Sequence, residues 1–214
     1  MCSKRRWAEV KHAVRRFKDL AIALKELEPF IRDGTHLQTG KPFQRFGGLR
    51  SREILANWLL CAVMNAHEGG GQFYFTTDPL GGDGVICDGA TDDTWLTEHV
   101  MVPELPSTVG MALEDRVLEQ IQMKVAKGRA AYAGGKTLLV FLNAAGGAWY
   151  PNKVVRGLPK PLYFDTVWAM GLQVVENAEY VYGVTNLQQS GGNAPAWRVR
   201  ISPTFEAWAV ERIQ

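Results

Sequence analysis

The sequence predicts an α+β or α/β fold: a central mixed β-sheet flanked by helices and preceded by a long N-terminal amphipathic helix. Three observations predict it. One apolar stripe runs with helical spacing from Trp7 to Ile31, and a second helical segment, Arg52 to about His67, is apolar nearly all round. Three short β-rich runs, another helical stretch and the continuous apolar run TLLVFL follow. With 214 residues, 46% of them hydrophobic and 21% charged, the chain has the length and composition for one domain with a sizeable core.

Trp7, Val10, Val14, Phe17, Ala21, Leu24, Leu27 and Ile31 recur three or four apart, which draws one stripe down the first helix. Residues 33–50 are rich in Gly, polar and basic residues and read as a loop. Ser51 then caps the second helix, whose apolar surround marks it as buried. Residues 1–50 thus form a basic helix and loop, and 51–214 the core, within one globular domain overall. Strands are expected over 72–76, 84–87 and 95–102, separated by turn residues, then a helix from about Met111 to Tyr132 and a strand over 136–142. Residues 164–172 fit helix or strand equally. YVYGVTNL and AWRVRI read as two antiparallel strands, and the ending FEAWAVERIQ is ambiguous.

The net charge of +2 conceals an asymmetry, because residues 1–52 carry 13 Lys and Arg against 5 Asp and Glu, a balance of +8, and the rest carries −6. A basic front quarter suits a polyanion, and equally a solvated helix that serves as a dimerisation element. No apolar run is long enough to span a bilayer, and the start leads into an amphipathic segment, so a cytoplasmic protein without a membrane partner is expected. Cys2, Cys61 and Cys87 are too few and scattered for a disulfide framework; Cys61 and Cys87 read as small core residues.

Chemistry is suggested by three carboxylates. Asp83 opens one strand and Glu98 lies within the next, so an antiparallel hairpin can set them side by side. Alternation gives Glu98 a face shared with Leu96 and Val100, where an ionised group needs a cation, and leaves His99 on the other face as an exposed strand residue. Glu53 and Asn57, four apart on the buried helix, need a polar destination; for Glu53 this is either the site or the helix N-terminus with an arginine of the preceding loop. Oxygen ligands of this kind suit Mg²⁺ or Mn²⁺.

Helix Glu53, DPLGGDGVI (78–86), LTEHV (96–100), a helix and an apolar strand together resemble the PD-(D/E)XK nuclease superfamily over roughly residues 51–142. The resemblance implies a restriction-endonuclease-like core in which Asp83 and Glu98, with Glu53 from the helix, bind Mg²⁺ between a scissile phosphate and an attacking water. Two positions depart from the pattern: Gly82 stands where Pro precedes the Asp, and Val100 stands in the lysine's place. The family's lysine is known to migrate. Lys124 falls on the inward stripe of Val117, Ile121 and Gly128, and is the candidate to supply the missing charge.

The expected function is therefore a metal-dependent endonuclease acting on nucleic acid, DNA above all, in restriction, repair or phage defence. Glu53, Asp83, Glu98 and Lys124 are its catalytic residues. Lys4, Arg5, Arg6, Arg15, Arg16, Lys127 and Arg129, with Lys136, hold the phosphate backbone, and a homodimer through the N-terminal helix is a further expectation. The alternatives are a catalytically inactive nuclease-like fold that binds nucleic acid or protein, marked by Val100, and an unrelated α+β assembly protein.

Overall fold

The computed structural model describes residues 19–34, 37, 48–68, 72–78, 81–104, 110–143, 148–187 and 193–214. In chain order these form α1 (Leu20–Asp33), α2 (Ser51–Glu68), β1 (Phe73–Thr76), β2 (Val85–Asp88), β3 (Thr94–Val102), α3 (Leu113–Ala126), α4 (Arg129–Ala133), β4 (Lys136–Leu142), α5 (Pro151–Gly157), β5 (Thr166–Glu176), β6 (Glu179–Asn186), β7 (Ala196–Ile201) and β8 (Trp208–Arg212). The eight strands make one mixed sheet in chain order, curled into a half-barrel. β1 to β3 pair antiparallel, β4 runs parallel to both β3 and β5, and β5 to β8 form an antiparallel meander. Each parallel step needs a crossover, which α3 and α4 supply before β4 and α5 supplies before β5.

Helix α2 contacts β1 at one end of the sheet and β8 at the other, as well as β4, β6 and β7, so it lies in the hollow of the curl. Such a position surrounds the helix with protein and explains its apolar circumference: Ile54 to Val63 are all buried, including Trp58 and Asn57. Helix α1 packs Leu20, Ala23, Leu24, Leu27 and Ile31 against this core, and the Trp58 indole donates to the Leu20 carbonyl at 2.8 Å. A second apolar cluster on the other face joins Val117 and Ile121 of α3 to Val102, Leu138, Val140 and Val167.

This architecture corrects the expected central sheet flanked by helices, with its restriction-endonuclease-like layout and long N-terminal helix. Five helices accompany eight strands among the described residues, and one of them is enclosed by the sheet. The difference arises in β5 to β8, which extend the sheet by successive antiparallel pairing; accumulated strand twist then favours curling over a flat layer. Helix α1 is 14 residues long, with the Asp19 carboxylate accepting from the Ala21 and Ile22 N–H groups at 2.9 and 3.1 Å. Apolar periodicity alone does not show such a cap. The earlier part of the stripe, with Lys4, Arg5, Arg6, Arg15 and Arg16 and the dimer contact expected there, lies outside the described residues.

The helix expected over 111–132 is also divided, into α3 and α4, at Lys127 and Gly128, where Arg129 takes a left-handed φ of 48°. Residues 164–172 resolve as β5, and the ending supplies β8. Cys61 and Cys87 are buried and unbridged. Among the described residues, no helix is long and apolar enough to cross a membrane.

Candidate active site

Strands β2 and β3 pair Val85 with Leu96, and the Thr97 N–H donates to the Gly84 carbonyl at 2.9 Å. Continuing that register by one residue sets Asp83 opposite Glu98. The Asp83 carboxylate is held there by its neighbour strand, with Oδ2 accepting from the His99 N–H at 2.7 Å.

The backbone at Asp83 is fixed from the helix side by Asn57. Its amide Nδ2 donates to the Glu53 carbonyl at 2.9 Å and to the Asp83 carbonyl at 3.0 Å, and its Oδ1 accepts from the Thr97 hydroxyl at 2.9 Å. This is the polar destination that Asn57 required. It leaves no room beside Gly84, where a Cβ would meet Asn57 Nδ2 at 2.5 Å and Thr97 Oγ1 at 2.8 Å, at a φ of +149° that side chains rarely adopt. Gly82, in the position the family fills with Pro, donates its N–H to Asp78 Oδ2 at 3.0 Å, a bond proline cannot make.

Glu53 serves first as a cap. Arg50 accepts the first helical bonds of α2 through its carbonyl, and Glu53 reaches back so that Oε2 accepts from the Arg50 N–H at 2.8 Å. Its other oxygen lies 3.7 Å from the Arg50 guanidinium. Glu53 nevertheless shares a cleft of about 600 Å³ with Asp83, Arg50, Arg52, His99 and Lys124. Burial pushes both carboxyls above their ordinary values; the Arg50 N–H bond opposes this at Glu53 and the His99 N–H bond at Asp83, while Asp83 raises Glu53 further and Glu98 raises Asp83 further.

Glu98 is treated differently. It points to the α3 side of the sheet, where its Oε1 accepts from Lys136 Nζ at 2.8 Å and its Oε2 from Lys124 Nζ at 3.2 Å and the Tyr132 hydroxyl at 2.5 Å. Burial works to raise its pKa, but the hydrogen bonds from Lys136 and Tyr132 and the Lys124 charge outweigh it and hold the carboxyl below its ordinary value. Burial and the Glu98 carboxylate push the Tyr132 hydroxyl up. The ammonium groups of Lys136 and Lys127 also lie 4.6 and 4.7 Å from the centre of the Tyr132 ring.

Lys124 therefore reaches Glu98 and lines the cleft that holds Asp83. Val100 packs against the apolar cluster beneath α3. Lys136 belongs to this ion-pair group, and Lys127 and Arg129 stand at the α3–α4 junction. His99 is buried at 6% exposure, because alternation places it with Thr97 on the face that α2 covers, and the exposed position expected for it is corrected. Its imidazole pKa is lowered well below the ordinary value by burial, then by Arg52, Lys124 and Arg50.

Among the described residues, no group of three or more His, Cys, Asp or Glu side chains is disposed to hold a metal ion. Glu53 is drawn to its cap and Glu98 to its lysines. No protein-family model matches the chain, and no curated protein matches it. Tyr132, Gly84 and Thr97 are site residues that sequence reasoning did not single out, and Lys136, expected on the nucleic-acid backbone, is instead paired with Glu98. Of these, only Gly84, directly after a candidate carboxylate at a strand start, carries a recognisable signal of close backbone approach.

Proposed function

We propose that this chain is a divalent-metal-dependent nuclease that hydrolyses phosphodiester bonds, most naturally those of DNA, at a site of the PD-(D/E)XK kind. The observation that carries the reading is that Asp83, just before β2, accepts from the His99 N–H beside Glu98 on β3, while Lys124 reaches from Glu98 to line the cleft that holds Asp83 and Glu53.

The donor set fits a hard cation. Mg²⁺ keeps several waters and is commonly bound through one or two carboxylates and the substrate phosphate, so a third protein ligand is not required. Asp83 and Glu53, buried with pKa values raised partly by neighbouring carboxylates, gain from a cation between them. Asp83 would hold Mg²⁺ or Mn²⁺ with Glu53 beside it in the cleft, and Glu98 would join them on releasing a lysine. When bound, the ion supplies Lewis acidity toward the phosphodiester and water.

The protein groups do the rest. Lys124 stabilises the negative charge that accumulates on the phosphoryl oxygens, the role Val100 cannot fill. Lys136 and Tyr132 keep Glu98 ionised and fixed in orientation. Lys127 and Arg129, and the basic residues Lys4, Arg5, Arg6, Arg15 and Arg16, track the backbone, which makes binding weaken with salt and largely indifferent to sequence.

A plasmid-cleavage assay with Mg²⁺, Mn²⁺ or EDTA, run on wild type and Glu98→Ala, tests the proposal. Cleavage in either metal, abolished by EDTA and by the substitution, is the expected result; cleavage that survives both overturns the site. A second reading, a nucleic-acid-binding protein without cleavage, is favoured by the cations already seated on both Glu98 oxygens. Salt-dependent DNA binding with no cleavage in any metal would establish it.

A further inference from the structure

His99 contributes its backbone N–H to Asp83, but that leaves its side chain unexplained. His99 lines the same cleft and is buried at 6% exposure, and its imidazole Nε2, itself buried, has no hydrogen-bond partner among the described residues. Buried polar atoms are nearly always paired, so an unpaired one beside a cleft marks a place where a ligand atom completes the bond.

The surroundings indicate the charge of that ligand. Arg50 and Arg52 flank the start of the 18-residue helix α2, where the helix dipole favours negative charge, and Lys124 approaches from α3. Asp78, Glu53 and Asp83 also face it. Asp78 accepts from the Gly82 N–H, Glu53 is turned to its cap, and Asp83 is bound to the His99 N–H. The arginine end of the cleft thus favours an anion with oxygens to accept from an imidazole N–H.

We propose that His99 Nε2–H, with Arg50 and Arg52 at the start of α2, forms a phosphate subsite adjoining Asp83. The subsite takes a backbone phosphate next to the one being cut, and so rests on the nuclease reading. His99 acts here as a hydrogen-bond donor and a positioning residue, distinct from the charge-stabilising Lys124. It sets which phosphate enters the metal position.

The test uses the full chain in EDTA, where binding is read without turnover. Short DNA duplexes carry a single neutral methylphosphonate at successive positions, and their affinities are measured for wild type, His99→Phe and His99→Gln, with folding checked by circular dichroism. One position is expected to cost wild type about tenfold in affinity. His99→Phe is expected to bind the substituted and unsubstituted duplexes alike, and His99→Gln, which keeps an N–H donor, to recover part of the discrimination.

In parallel, ¹⁵N-histidine spectra, assigned with His99→Gln, follow the His99 Nε2 signal on adding duplex or inorganic phosphate. A shift with duplex supports the subsite. A shift with inorganic phosphate alone assigns it to a free anion and overturns the backbone role. Equal discrimination by wild type and His99→Phe, or no DNA binding, also overturns it. Discrimination through His99 without cleavage in Mg²⁺ leaves the subsite standing and removes the nuclease reading, whereas cleavage without discrimination does the reverse.

Discussion

The cleft at the start of α2 and the pocket beneath α3 lie on either side of β3, and they treat facing carboxylates in opposite ways. Asp83 and Glu53 are buried with pKa values pushed up, because the Arg50 and His99 N–H groups and the nearby Arg50, Arg52 and Lys124 charges do not offset the burial. Glu98, one strand across from Asp83, has its pKa held down by two ammonium groups and a phenol. On one side burial outweighs the neighbouring cations, and on the other the cations outweigh burial. On the proposed reading, Glu98 is locked in place by its cations while Asp83 is left to gain from a metal ion. Lys124 touches both regions and couples them.

The sharpest way to break this comparison is to neutralise each carboxylate in turn. Asp83→Asn and Glu98→Ala are each expected to lower plasmid cleavage by about a thousandfold, the loss of several kcal/mol of charge stabilisation. Their stabilities should diverge: Asp83→Asn, which can still accept from the His99 N–H, is expected to raise the metal-free melting temperature, while Glu98→Ala lowers it by stranding two lysines. Equal shifts in thermal melts would erase the distinction between the two sides.

The lysines sharpen the same contrast. Lys124→Ala is expected to reduce kcat by about a hundredfold in single-turnover cleavage, as for loss of one preorganised charge donor. Lys136→Met is expected to act mainly on stability, lowering it by about 1–3 kcal/mol in urea unfolding, because it removes one partner of a largely buried ion pair. A reversal of these two effects would assign the migrated charge to Lys136.

A smaller effect is expected from Gly84→Ala, about 1–3 kcal/mol by the same unfolding measurement, since the new Cβ collides with Asn57 and Thr97 at a strained φ. The mildest test is pH. Asp83 and Glu53 hold protons more tightly when folded, so between their raised values and the ordinary 3.8 and 4.5, metal-free stability should rise as pH falls. Glu98 has the opposite sign, and its contribution, present above 4.5, is lost as pH falls through its lowered value. Urea midpoints across pH should lose the Asp83 part of the first limb in Asp83→Asn and the second limb in Glu98→Gln.

Much of the site-bearing half was legible in the sequence because it is built from local patterns. The all-round apolar α2, the strand and turn alternation through β3, and the inward stripe that placed Lys124 each arise within one segment. What escaped depends on contacts between distant segments. Tyr132 meets Glu98 because α4 closes the crossover onto β3, Lys136 meets it because β4 pairs parallel to β3, and His99 is buried because α2 fills the hollow. The half-barrel itself follows from cumulative pairing of β5 to β8, for which no single strand carries a sign.

The central claim is that Asp83, facing Glu98, anchors a divalent ion in the cleft. Mn²⁺ titration by calorimetry in the presence of a short DNA duplex tests it most directly. Wild type is expected to bind the ion at a site that Asp83→Asn lacks. Indistinguishable Mn²⁺ binding by wild type and Asp83→Asn, or no binding by either, would contradict the account.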